Sequence, residues 1–182
     1  RECEDTFQAN IYNHHLKNGG MSRYKKIPIY LEFAKYSVDE VTTKEYLNKF
    51  SNIVVDKVIN SNWVDGALEF IESNNFNQKF VLTSSTPQKE MEQIANKLKI
   101  ENCFDCIYGS PREKSECINE YMSFNQIAPK DALLIGDSYN DYEAAKNNNI
   151  NFLFRKTSYN LENLKNFKKD KILFFNNFNQ FI

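Results

Sequence analysis

The run Leu133-Leu134-Ile135-Gly136-Asp137-Ser138-Tyr139-Asn140-Asp141 changes character twice in nine residues. Three consecutive apolar side chains, with Ala132 ahead of them, suit a strand buried on both faces. Gly136 ends it. Asp137 and Asp141 then stand four positions apart, the second in the first turn of a helix that continues through Tyr142, Ala144 and Ala145. A strand, a tight turn and a helix in so short a span form the repeating unit of a parallel sheet.

The same unit recurs on either side. Phe80-Val81-Leu82 is a short apolar run closed by Thr83-Ser84-Ser85-Thr86-Pro87, and an amphipathic helix follows through Met91, Ile94, Ala95 and Leu98. Residues 104–108 form a weaker strand candidate ahead of Gly109-Ser110-Pro111 and a helix through Cys117, Ile118 and Tyr121. Asn151 to Phe154 and Leu173-Phe174-Phe175 complete the set. Residues 63–182 are therefore expected to form a Rossmann-like α/β domain with a parallel sheet. Residues 1–62 read differently. Phe7, Ile11 and Leu16 share one helix face, ended by Asn18-Gly19-Gly20; Ser22 is an N-cap candidate for a second helix, in which Pro28 predicts a kink or an early turn. Val41-Thr42-Thr43 opens a third, with Tyr46, Leu47, Phe50, Val54, Val55 and Val58 at helical spacing. This part is expected to be a small all-helical domain.

Composition removes several classes of function. The formal net charge is -1, so no global field draws the chain to nucleic acid or an anionic membrane, and the basic stretch from Lys165 to Lys171 reads as a solvated face. No apolar run approaches the roughly 18 residues needed to cross a bilayer. The opening, Arg1-Glu2-Cys3-Glu4-Asp5, is charged, unlike a secretory leader. Four cysteines, at 3, 103, 106 and 117, are too sparse for a disulfide scaffold, and Cys103 and Cys106 lack a second half for a zinc site. The cytoplasm is the expected compartment.

Ligands of an open α/β sheet bind beyond the carboxyl ends of its strands. Those ends supply Thr83, Ser84 and Ser85 from one strand and Asp137 with Asp141 from another, while Lys114 follows the turn at Gly109-Ser110-Pro111. Hydroxyls, a lysine and two carboxylates around one point suit a divalent metal and a phosphoryl group: carboxylates hold Mg²⁺, and cationic or N–H donors neutralise phosphate oxygens. Each residue also has a plainer explanation. Asp137 and Asp141 suit a helix N-terminus, Thr83 to Ser85 suit a capping turn, and Lys114 is hard to tell from Arg112 or Lys130 as a surface cation.

In order and spacing these segments resemble the motifs of the haloacid dehalogenase superfamily. Phe80 to Ser85 looks like its second motif, Lys114 like the lysine of the third, and Leu133 to Asp141 like the Gly-Asp…Asp fourth. The helical front part resembles the cap domain of many members. Asn18 to Lys26 is similar to a Gly-Gly-x-Ser-Arg-Tyr motif in family phosphatases linked to surface-polysaccharide or sugar-phosphate pathways. The resemblance implies Mg²⁺-dependent hydrolysis of a small phosphorylated metabolite through an aspartyl-phosphate. It implies Asp137 and Asp141 as metal ligands, Thr83 and Lys114 as catalytic groups, and Ser84 as a phosphate contact. Arg23 is either a clamp on an anionic substrate group or a surface helix residue. The family's first motif, an Asp-x-Asp that supplies the nucleophile and the general acid-base, occurs nowhere in the 182 residues. The expectation is that it precedes Arg1. A phosphomutase with the same residues, or a non-catalytic domain, are the alternatives.

Overall fold

The computed structural model describes residues 2–161, 167 and 172–182. The stretch from Lys165 to Lys171 therefore lies outside the described residues, except for Phe167. Three helices come first: α1 (Glu2–Lys17), α2 (Arg23–Phe33) and α3 (Glu40–Ile59). Ser22 caps α2, its hydroxyl accepting the Tyr24 N–H, and Asp39 caps α3 through the Thr42 N–H. Helix α2 runs through Pro28 without a break. The missing N–H forfeits one internal bond, but Ile27 and Leu31 flank the proline and are buried at 6% and 2% exposure. Their burial carries the helix past Pro28, so the early turn, one of the two outcomes expected there, does not form.

The rest alternates. Helix α4 (Ala67–Ser73) leads to β1 (Val81–Pro87), α5 (Gln88–Lys97), β2 (Cys106–Ser110), α6 (Lys114–Phe124), β3 (Leu133–Gly136), α7 (Tyr139–Asn147), β4 (Asn151–Arg155) and β5 (Leu173–Phe175). All pairings are parallel, in the orders β1-β2 and β3-β4-β5. Among the described residues β1 pairs only with β2, and β3 only with β4 and not with β1. Strand β1 extends further than its apolar run suggested. The ladder is regular to Thr83, then slips and resumes at Pro87 opposite Ser110. Residues 84–86 thus leave the regular ladder at the carboxyl end of the strand, where the Thr86 N–H turns to the Ser84 hydroxyl at 3.1 Å.

Packing follows the sheet. Ile118, Met122 and Ala144 join α6 to α7 over Leu134. Tyr142 and Phe154 enclose Phe167 beside Phe152. Phe70, Phe80, Phe175, Phe178 and Phe181 form a chain of ring contacts that draws α4, β5 and the C-terminal turn together. Cys103, Cys106 and Cys117 are free thiols, and Cys117 is buried in the core. No helix is long and apolar enough to cross a membrane, among the described residues.

Candidate active site

Thr83, Ser84, Lys114, Asp137, Asp141 and Arg23, the six residues singled out above, line a single cavity of about 560 Å³. The ends of β1 and β3 form one wall. His15 of α1 and Arg23, Lys26, Ile27 and Tyr30 of α2 form another. The regions at residues 83–86 and 135–138 meet there although each strand pairs with a different neighbour.

The turn after β3 organises the wall around Asp141. Ser138 is the N-cap of α7 and exchanges a capping box with Asp141. One carboxylate oxygen of Asp141 accepts from the Ser138 N–H at 3.0 Å, the Ser138 hydroxyl at 2.7 Å and the Asp137 N–H at 3.3 Å. The other ion-pairs with the Lys114 ammonium. Gly136 makes this possible, since a Cβ there would lie 2.4 Å from the Asp141 Cβ. Asp141 is thus 5% exposed and fully satisfied.

Asp137 is the opposite case. It stays open to the cavity and ion-pairs with none of the described lysines or arginines. Its carboxyl is pushed above the ordinary value, first by partial desolvation and then by the negative charge of Asp141; Lys114 and Arg155 pull the other way. A carboxylate that is crowded by another and left without a cationic partner is a natural ligand for a bound cation. Among the described residues no three His, Cys, Asp or Glu side chains gather around one point. Mg²⁺ commonly binds through one or two carboxylates, the remaining positions going to water and substrate phosphate. The donor set fits that mode.

Arg23 is not a surface residue. It is 7% exposed and its guanidinium donates to Glu90 of α5 at 2.6 Å and to Ser51 of α3 at 3.0 Å, stacked 4.9 Å over Phe50. Ser51 in turn donates to Glu90 at 2.6 Å. This network ties the N-terminal helices to the α/β part. Gly20 forms a second tie: its carbonyl accepts from the Ser85 hydroxyl and from the Asn140 amide at 3.0 Å. Gly20 has φ +80°, and a Cβ there would lie 2.6 Å from the Ser138 hydroxyl. Gly20→Ala is expected to cost about 1–2 kcal/mol from the left-handed backbone alone. It should lower the thermal midpoint by about 2–4 °C per kcal/mol, and displacement of Ser138 should slow any reaction that depends on Asp141. An unchanged melting curve would remove this tie from the account.

Sequence reasoning missed several participants. Arg155 stands at the carboxyl end of β4, lines the cavity and keeps its Nε buried without a partner among the described residues. The strand-end rule that selected Asp137 applies to it equally. Asn160, 9% exposed, donates to the carbonyls of Asp137 at 3.0 Å and Arg155 at 2.8 Å, pinning two strand ends together. Glu90 carried no local signal, and Lys26 and Tyr30 carried none that pointed to the cavity. His15 lines the cavity, while His14 makes edge contacts with Tyr30 and Phe33.

A model of the haloacid dehalogenase-like hydrolases matches residues 5–154, most of the chain. The chain belongs to that family. No curated protein matches it. Among solved structures it is similar to one described as a predicted phosphoglycolate phosphatase from Haemophilus somnus, with TM-score 0.73 and 16% identity over 91% of this chain and 78% of the other. It is also similar to one described as a predicted phosphatase from Clostridium acetobutylicum, with TM-score 0.68 and 22% identity over 89% and 76%. CbbY from Rhodobacter sphaeroides, solved with phosphate, has TM-score 0.67 and 14% identity over 82% and 71%. At these identities the likeness is one of fold, and it agrees with the α/β architecture. A haloacid dehalogenase-like core with a helical N-terminal part is the architecture the chain adopts.

Proposed function

We propose that this cavity hydrolyses the phosphomonoester of a small phosphorylated metabolite, a sugar phosphate being the expected class, in a Mg²⁺-dependent reaction. The observation that supports this most is that Thr83, Ser84, Lys114, Asp137 and Asp141, drawn from separate segments, line one cavity at the ends of two strands. Thr83 and Ser84 would hydrogen-bond the transferring phosphoryl group, since both line the cavity where the regular ladder of β1 ends. Lys114, held by Asp141, would offset negative charge on the phosphoryl oxygens. Asp137 would hold the metal directly, and Asp141 would align Lys114 while reaching the metal directly or through water. When bound, Mg²⁺ would supply positive charge against the phosphate oxygens. The carboxylate nucleophile of an aspartyl-phosphate route is proposed to come from residues ahead of Arg1. Among the described residues β1 and β3 each keep one edge without a strand partner, which suits a further strand.

Phosphate release from a panel of small phosphomonoesters by the full-length protein tests the proposal. Turnover is expected with Mg²⁺, loss with EDTA and recovery when Mg²⁺ is returned. Inactivity on every ester at saturating Mg²⁺ would sink the reading. Phosphorus NMR on a hexose phosphate decides between release and return of the phosphoryl group: free phosphate marks a phosphatase, an isomeric sugar phosphate a mutase.

A further inference from the structure

Helix α2 presents Arg23, Lys26, Ile27 and Tyr30 to the cavity, at the i, i+3, i+4 and i+7 spacing of one helix face. Their charges are not equally answered. Arg23 is neutralised by Glu90. Lys26 is 7% exposed, lies against the same cavity, and makes neither an ion pair nor a hydrogen bond through its ammonium with any described residue. Burial alone acts on that ammonium and holds its pKa below the ordinary lysine value. One turn further on, the Tyr30 hydroxyl is buried and also has no hydrogen-bond partner among the described residues. Burial pushes its pKa up, so it stays a protonated donor. His15 does not compensate the charge. Desolvation and then the nearby Lys26 depress its pKa, which favours the neutral ring.

Neither carboxylate on the cavity wall answers Lys26: Asp141 is bound to Lys114 and Ser138, and the cations whose charge acts on the unpaired Asp137 are Lys114 and Arg155. The Lys26 ammonium on the cavity wall and the buried Tyr30 hydroxyl one helical turn on both lack a partner among the described residues, and unanswered groups of this kind are tolerated where an anion completes them. The phosphoryl group already has its own donors on the β1 side.

We propose that the Lys26 Nζ and the Tyr30 hydroxyl form a second anion subsite on the α2 wall. The substrate is then a phosphomonoester that carries a second anionic group, a carboxylate or another phosphate, at its far end. This rests on the phosphatase reading for the placement of the reacting phosphoryl group. Lys26 and Tyr30 act here as specificity residues: they select the tail and take no part in the chemistry.

The test is calorimetric titration of the full-length protein, loaded with Mg²⁺, with non-hydrolysable phosphonates. The ligands are alkylphosphonates of graded length ending in a methyl, a carboxylate or a second phosphonate. At the length that reaches α2, an anionic tail should tighten binding at least about ten-fold over the methyl tail, as expected for a charge-assisted hydrogen bond. The tighter of the two anionic tails identifies which anion the site takes. Lys26→Met should bring that ratio close to one, and Tyr30→Phe should lower it roughly three-fold. A melting curve confirms that each variant is folded, and Tyr30→Phe decides the matter should Lys26→Met fail to fold. The proposal is overturned when wild-type protein binds methyl and anionic tails alike at every length, or when the ratio survives in a folded Lys26→Met. Equal weakening of all ligands leaves the ratio intact and also overturns it, placing Lys26 on the reacting phosphoryl group. Turnover of the matching esters separates the two readings. Tail-dependent binding without hydrolysis of any ester sinks the phosphatase and keeps the subsite, whereas hydrolysis without tail preference does the reverse.

Discussion

Lys114→Met is expected to weaken both the fold and the reaction. The Lys114 ammonium pairs with Asp141, and the two side chains are 16% and 6% exposed. Breaking a buried pair by removing one member costs about 3–5 kcal/mol, because the remaining charge stays out of water. Asp141 keeps three donors, from Asp137 and Ser138, which places the cost near the lower end, about 3 kcal/mol. The thermal midpoint should then fall by roughly 6–12 °C for a chain of this size. Turnover should drop by about 100-fold or more, the usual effect of removing one charge-stabilising group from a reacting centre. The double variant Lys114→Met/Asp141→Asn should regain much of the stability, since no charge is left buried, and none of the activity. Thermal unfolding and phosphate release measured on both variants check this. A single variant that melts like wild type would show that the pair contributes nothing.

Asp137→Asn should separate stability from function in the other direction. The Asp137 carboxyl is disfavoured by desolvation and by Asp141, and its pKa is raised accordingly. A carboxyl whose pKa is higher in the folded than in the unfolded chain destabilises the fold once ionised. An uncharged isostere therefore melts no lower than wild type in EDTA. With Asp137 as the proposed metal ligand, the order is expected to reverse in Mg²⁺: wild type should gain about 2.7 kcal/mol when the metal stands at 100 times its dissociation constant, and the variant little. Hydrolysis should fall by about 1,000-fold, in line with loss of a metal or comparable charge clamp. A variant that keeps its Mg²⁺-induced rise in melting temperature would show that Asp137 does not hold the metal.

Much of the architecture was legible because it is written locally. Leu133 to Ile135 read as a buried parallel strand and Asn151 to Phe154 as another, and they pair in register in β3 and β4, although Leu133 is 54% exposed and Phe154 is the one fully buried residue of the two strands. Ser22 read as a cap and accepts the Tyr24 N–H. Thr83, Ser84, Lys114, Asp137 and Asp141 could be named together because the rule that places ligands at strand ends needs only strand positions. Of the kink or early turn suggested by Pro28, the early turn does not form, since the helix is held by the burial of Ile27 and Leu31, which no local propensity records. The extent of β1 was misjudged since Pro87 rejoins the ladder only through Ser110, a residue from another strand.

What the chain's own order determined is which side chains stand at the ends of its strands and which helices follow them, since periodicity, glycine and capping residues act over a few positions. What only the tertiary structure decided is the state of each charge. Lys114 opens α6, where a cation opposes the helix dipole, and its place is secured by Asp141, 27 positions away. Arg23 meets Glu90 across 67 positions and Lys26 meets no carboxylate among the described residues, though both lie on one face of one helix. The energy of a charge depends on what else is brought beside it and on how much water is left, and neither quantity exists until the chain has folded.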